Sequence, residues 1–97
     1  MSFELLFLEE AKKDYDKLDN SQKIHVNKSF QKIKAVGGQA GEALRGRLKG
    51  YRKIKHRRLG LRVIFRQLED RIEIIEIVAI GKRSDNEIYQ IAESRIQ

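Results

Sequence analysis

From Phe3 to Leu8 the chain is almost continuously apolar and is closed by the acidic pair Glu9 and Glu10, a pattern that predicts a short buried strand leading into a helix. Ala11, Tyr15 and Leu18 recur at helical spacing and carry that helix from Glu9 to Leu18. Asp19-Asn20-Ser21 then supplies a polar turn and an N-cap for a second helix over 21–36. Its Ile24, Phe30, Ile33 and Val36 are expected to face the core, with lysines outside. Gly37, Gly38 and Gly41 end it, because glycines so closely spaced lose too much backbone entropy inside a helix. Three strand-like runs follow, Gly50 to Arg58, Leu61 to Leu68 and Arg71 to Ile80, separated only by Leu59-Gly60 and Glu69-Asp70. Connections that short predict antiparallel hairpins. Ser84 with Glu87 reads as a capping box, and Ile88, Ile91, Ala92 and Ile96 mark a short final helix.

The predicted fold is α+β: an N-terminal strand, a two-helix hairpin, a three-stranded antiparallel meander and a short C-terminal helix. The helices pack on one face of the sheet and leave the other partly open. A chain of 97 residues supports one hydrophobic core, so residues 1–97 are read as a single domain. Period-two alternation sorts the meander. Tyr51, Lys53, Lys55 and Arg57 share one face, and Arg52, Ile54 and His56 the other. On the next run Leu61, Val63 and Phe65 are expected to meet the helices, which turns Arg62, Ile64 and Arg66 to the open face.

Charge changes the picture through its distribution. Ten of the 21 lysines and arginines lie between Arg45 and Arg66 with no acid among them, leaving 11 bases against 14 acids elsewhere. Like charges crowded on one sheet face destabilise it unless an anion is expected there, so the segment reads as a phosphate grip. The chain has no cysteine, which removes disulfides and thiolate metal sites and favours a reducing, cytoplasmic setting. Two isolated histidines, His25 and His56, make a poor ligand set, and no metal or other cofactor is expected. The first ten residues lack the pattern of a signal peptide, and no run reaches membrane-spanning length, so no membrane partner is expected.

At this point the chain resembles the RelE branch of the RelE/ParE toxin superfamily. The strings that carry the likeness are Leu44-Arg45-Gly46, Tyr51-Arg52-Lys53-Ile54-Lys55, Gly60-Leu61-Arg62-Val63-Ile64-Phe65, and Ile80-Gly81-Lys82-Arg83 followed by Glu87-Ile88-Tyr89. The resemblance implies a toxin held silent by a cognate antitoxin, which enters the ribosomal A site and cleaves messenger RNA by metal-independent attack of the 2′-hydroxyl. It places Lys53, Lys55, Arg62, Arg83 and Tyr89 on the catalytic positions. Leu61 stands where some relatives carry an aromatic residue, and His56 and Arg58 add charge to the strand.

In that frame Lys55, set among cations, is the candidate base, and Lys53 and Arg62 compensate charge building on phosphorus. Arg83 binds phosphate by its fork, and Tyr89 stacks on or orients a base. Arg45, Arg47, Lys49, Arg52, Arg57, Arg58, Arg66 and Lys82 are the candidate RNA-binding residues. Two other readings stand beside the nuclease: a ParE-like toxin that binds DNA gyrase without cutting RNA, and a nucleic-acid-binding module without catalysis.

Overall fold

The computed structural model describes residues 2–82 and 87–96. Strand β1 (Glu4–Phe7) leads through Leu8 into helix α1 (Glu9–Asp16), whose first turn carries Glu9 and Glu10, the charge that suits a helix N-terminus. Helix α2 (Asn20–Val36) opens on a complete capping box: Asp19 accepts the Gln22 backbone N–H at 2.8 Å, and Gln22 accepts that of Asp19 at 3.0 Å. After a turn of 3-10 helix at Gly37–Gln39 come β2 (Glu42–Ala43), a second such turn at Gly46–Leu48, β3 (Arg52–His56), β4 (Leu61–Gln67), β5 (Ile74–Lys82) and α3 (Glu87–Arg95). The capping role read for Ser84, and Arg83 with it, lie outside the described residues.

The strands form one five-stranded sheet in the order β1-β5-β4-β3-β2, with β1 parallel to β5 and every other pair antiparallel. The meander is therefore the sheet's centre, flanked by the N-terminal strand and a two-residue edge strand. The face towards α1 and α2 buries Ala11, Val26, Phe30 and Ile33 against Val63, Phe65, Ile75 and Ile77. The opposite face carries a second, smaller core, where Ile88 and Ala92 of α3 and Leu48 cover Ile64, Val78 and Ala79. Gly81 permits that contact, since a Cβ there would lie 3.1 Å from Ile88 Cδ1. The face expected to be partly open is thus covered along its middle by the short helix.

Several expectations need correction. Ile24 is 58% exposed and Val36 43% exposed, and neither faces the core. The buried seam of α2 is Val26, Ser29, Phe30 and Ile33, at helical spacing. Ile24 lies two residues before Val26, on another face, and Val36 is the last helical residue, where Gly37 turns the chain away. Strand β5 begins at Ile74, not Arg71, because Arg71 to Glu73 belong to the turn, where Ile72 is 65% exposed. It runs on to Lys82, and an extra residue, Val78, bulges between the pairs Ile64↔Ala79 and Phe65↔Ile77.

His56 faces α2, as alternation requires, and its Nε2 bonds Ser29 Oγ while its ring sits 6.3 Å from that of His25. Burial first, and then the neighbouring His25, hold the His56 imidazole below its usual value of 6.5. With the folded pKa below that of the unfolded chain, the contribution to stability is complete above the unfolded value and is lost as the pH falls through the window beneath it. The melting temperature is expected to drop between neutral pH and about pH 5.5, and to drop less in His56→Gln, as read by circular dichroism melts across that range.

Candidate active site

Strand β3 presents Lys53 and Lys55 on the sheet face away from α1 and α2, and its register with β4 sets Lys55 opposite Arg62 and Lys53 opposite Ile64. Helix α3 crosses this face and brings Tyr89 over Lys53. The Lys53 ammonium donates to Tyr89 Oη at 3.1 Å and lies 5.3 Å from the centre of its ring. Arg62 is nearly sealed, at 5% exposure, and donates from Nη1 to the Leu61 carbonyl at 3.1 Å. Its Nε has no hydrogen-bond partner among the described residues. Lys53, Lys55, Arg62 and Tyr89, named separately by sequence, thus form one cluster.

An acid stands among them. Glu42 pairs in register with Lys53 across β2 and β3, and its carboxylate accepts from Lys55 Nζ at 3.0 Å. The preceding Gly41 has a φ of +67°, and a Cβ there would run into the Lys53 carbonyl. Glycine is therefore the residue that lets β2 close onto β3 and deliver Glu42. Glu42, Arg45, Lys53, Tyr89 and Glu93 line one open cleft of about 470 Å³, with Leu44 and Leu48 in its wall.

The electrostatics of the cleft shift two groups. Hydrogen bonding from Lys55 above all holds the Glu42 carboxyl below its ordinary 4.5; desolvation opposes it, and the charges of Lys55, Lys53 and Arg57 add to the lowering. For Tyr89, burial pushes the phenol up, but the hydrogen bond from Lys53, the polar contact of Arg62 and the charge of both bring it below 10.0. The arrangement therefore holds an ionised, exposed acceptor at one end and an acidified hydroxyl at the other, with ammonium and guanidinium groups between them.

The other basic residues divide. Arg45, Arg47 and Lys49 are exposed around the Gly46–Leu48 turn, Arg57 and Arg58 at the β3–β4 turn, and Lys82 at the end of β5. Arg52 is committed to structure, donating from Nε to the Ala40 carbonyl at 2.7 Å and from Nη2 to that of Gly41 at 3.0 Å. Arg66 does not join the lysines. It pairs with Glu76 at 2.9 Å and stacks 5.4 Å from the Tyr51 ring centre. Sequence reasoning missed Glu42 and Glu93. Glu42 precedes the acid-free run and sits in a strand too short to alternate, and Glu93 lies one turn beyond Tyr89 on α3.

The small α+β fold with a cationic cleft beneath its last helix is that of a family of small toxins, as comparison with known proteins shows. Residues 5–87 match the family described as the ParE toxin of the type II toxin–antitoxin system, parDE. A RelE-like toxin protein of Escherichia coli is 31% identical over 97 residues, the whole of both chains. The mRNA interferase toxin RelE of Escherichia coli strain K12 is 28% identical over 96 residues, 99% of each. The structure of a doubly substituted E. coli toxin RelE in the free state superimposes with a TM-score of 0.83 at 26% identity, covering all of both chains. The chain belongs to the RelE/ParE superfamily of type II toxin–antitoxin toxins, and within it to the RelE type. Among the described residues no helix is long and apolar enough to cross a membrane.

Proposed function

We propose that the protein is a ribosome-dependent endoribonuclease that cleaves messenger RNA in the ribosomal A site, and that the Glu42–Lys55–Arg62–Lys53–Tyr89 cluster performs the cut. The observation that carries this reading is the chain of contacts in which Glu42 is held by Lys55, Lys55 lies opposite Arg62, and Tyr89 is touched by Arg62 and Lys53, with Glu42, Lys53 and Tyr89 lining one cleft. Relatives named mRNA interferases support the substrate class.

In the reaction, Glu42 accepts the proton of the 2′-hydroxyl, the 2′-oxygen bonds to phosphorus, and the bond from phosphorus to the 5′-oxygen breaks. Tyr89 gives its proton to that departing oxygen, leaving a 2′,3′-cyclic phosphate and a 5′-hydroxyl. Lys53 and Arg62 hold the charge that develops on the phosphoryl oxygens. Lys55, which pairs with the Glu42 carboxylate at 3.0 Å, orients Glu42 and grips phosphate, and this reading gives the base role to Glu42 in place of Lys55. Arg83, from its place in the resemblance, adds a phosphate contact. Arg45, Arg47, Lys49, Arg57, Arg58 and Lys82 anchor RNA backbone, and Arg52 and Arg66 hold the scaffold.

On this reading the ribosome supplies the positioning of the message against the cluster, and naked RNA is a poor substrate. The partner implied by a type II system is an antitoxin protein, whose acidic or helical segment covers the basic face. Because the matched family is described from a ParE toxin, a gyrase-binding toxin is the second reading. Primer extension on translating ribosomes decides: new 5′ ends within A-site codons are expected. Intact message beside inhibited DNA supercoiling would establish the second reading instead.

A further inference from the structure

Helix α3 is short, and a nine-residue helix does not hold its place in water by its own hydrogen bonds. Ile88 and Ala92 bury its apolar side against Ile64, Val78 and Ala79, but apolar contact is non-directional and leaves sliding and rotation loosely set. A second attachment lies at its far end. Arg95 donates from Nη1 to Asp14 Oδ2 at 2.7 Å and from Nη2 to Asp14 Oδ1 at 3.1 Å, a two-pronged pair joining residues at opposite ends of the chain, with both side chains about 15% exposed.

The pair is also fixed to the sheet. Strand β1 stops at Phe7, opposite Ile77, and the next backbone groups of β5 are satisfied by side chains instead: Asp14 Oδ2 accepts the Ile80 N–H at 3.0 Å, and Arg95 Nη1 donates to the Val78 carbonyl at 3.0 Å. Val78 is the bulged residue of β5. One carboxylate and one guanidinium thus lock α1, the bulge of β5 and the end of α3 into a single geometry. Directional bonds of this kind fix what the apolar contact does not.

We propose that Asp14 and Arg95 are positioning residues for the cleft: by pinning the end of α3 they set where Tyr89, six residues earlier on the same helix, stands against Lys53 and Arg62. Neither touches the cleft. The consequence for cleavage rests on the nuclease reading above, whereas the geometric claim does not.

The test uses the full chain carrying ¹³Cζ-labelled tyrosine, with Tyr89→Phe to assign the resonance, and compares wild type with Arg95→Gln, Asp14→Asn and Arg95→Lys. In folded Arg95→Gln the Tyr89 titration is expected to move up towards the ordinary tyrosine value. Single-turnover cleavage on programmed ribosomes is expected to slow by about 10- to 100-fold at unchanged half-saturating ribosome concentration. Arg95→Lys, which keeps the charge and loses the fork, is expected to recover part of both. A Tyr89 titration identical to wild type in folded variants overturns the proposal, and so does failure of all three variants to fold, which would make the pair a stability element only. If wild type cuts no message, the nuclease reading fails while the titration still decides the clamp.

Discussion

Arg62→Met is expected to slow mRNA cleavage by about 10²- to 10³-fold, the loss found when one preorganised donor is removed from a developing anion, while raising thermal stability. The second half is the less obvious. In the free protein the Arg62 guanidinium is almost fully withdrawn from water, and it donates to the Leu61 carbonyl and makes a polar contact with Tyr89. Among the described residues its Nε is unpaired and no carboxylate bonds it. A buried polar group left without a partner costs roughly 1–3 kcal/mol, and a buried charge without a counter-ion costs more. Methionine occupies a similar volume without that penalty, on the sheet face it would share with Ile64. For a domain of this size each 1 kcal/mol moves the melting temperature by about 4–8 °C, so a rise of several degrees is expected in a calorimetric scan. On the proposed function, a bound phosphate would supply the partner that Arg62 Nε lacks among the described residues. A variant that lost both activity and stability would show that Arg62 serves mainly to hold the fold.

The arrangement of Lys53, Lys55 and Arg62 was legible because strand alternation is a geometric rule: once Ile54 and Val63 face the helices, the lysines and Arg62 must face away. Alternation stops at direction. It put Arg66 on the correct face but carried no information about Glu76, its partner across β5. It also misled at Arg71-Ile72-Glu73-Ile74, which alternates like a strand although the first three residues form a turn. Glu42 was invisible for another reason. A two-residue strand has no period, and its position depends on the conformation of Gly41 and on contacts with a strand ten residues away. The Asp14–Arg95 pair is further beyond reach, since nothing local in either segment indicates the other. What sequence pattern supplied was the face that carries the cations; the acids that organise it came from tertiary closure.

That difference separates two mechanisms, and Glu42→Gln is the substitution that distinguishes them. Glutamine keeps the shape and still offers Lys55 an acceptor oxygen, so β2 and the RNA contacts should survive. It cannot take a proton. If Glu42 is the base, single-turnover cleavage is expected to fall by about 10²- to 10⁴-fold with little change in ribosome binding. The pH profile carries an independent signature. A base held below 4.5 is fully ionised through neutral pH, so wild type should show no acid limb there; the rate should instead fall on the alkaline side as Tyr89 loses the proton it must donate, at a pH below 10.0. Tyr89→Phe should be slow and should lose that alkaline limb. If Lys55 were the base, the reverse follows: the rate would climb with pH as the ammonium loses its proton, and removing the carboxylate that binds it would speed the reaction at neutral pH. A faster Glu42→Gln variant, or a wild-type rate that rises steadily through the alkaline range, would therefore return the base role to Lys55 and leave Glu42 as the counter-ion that fills the cationic cleft until RNA arrives.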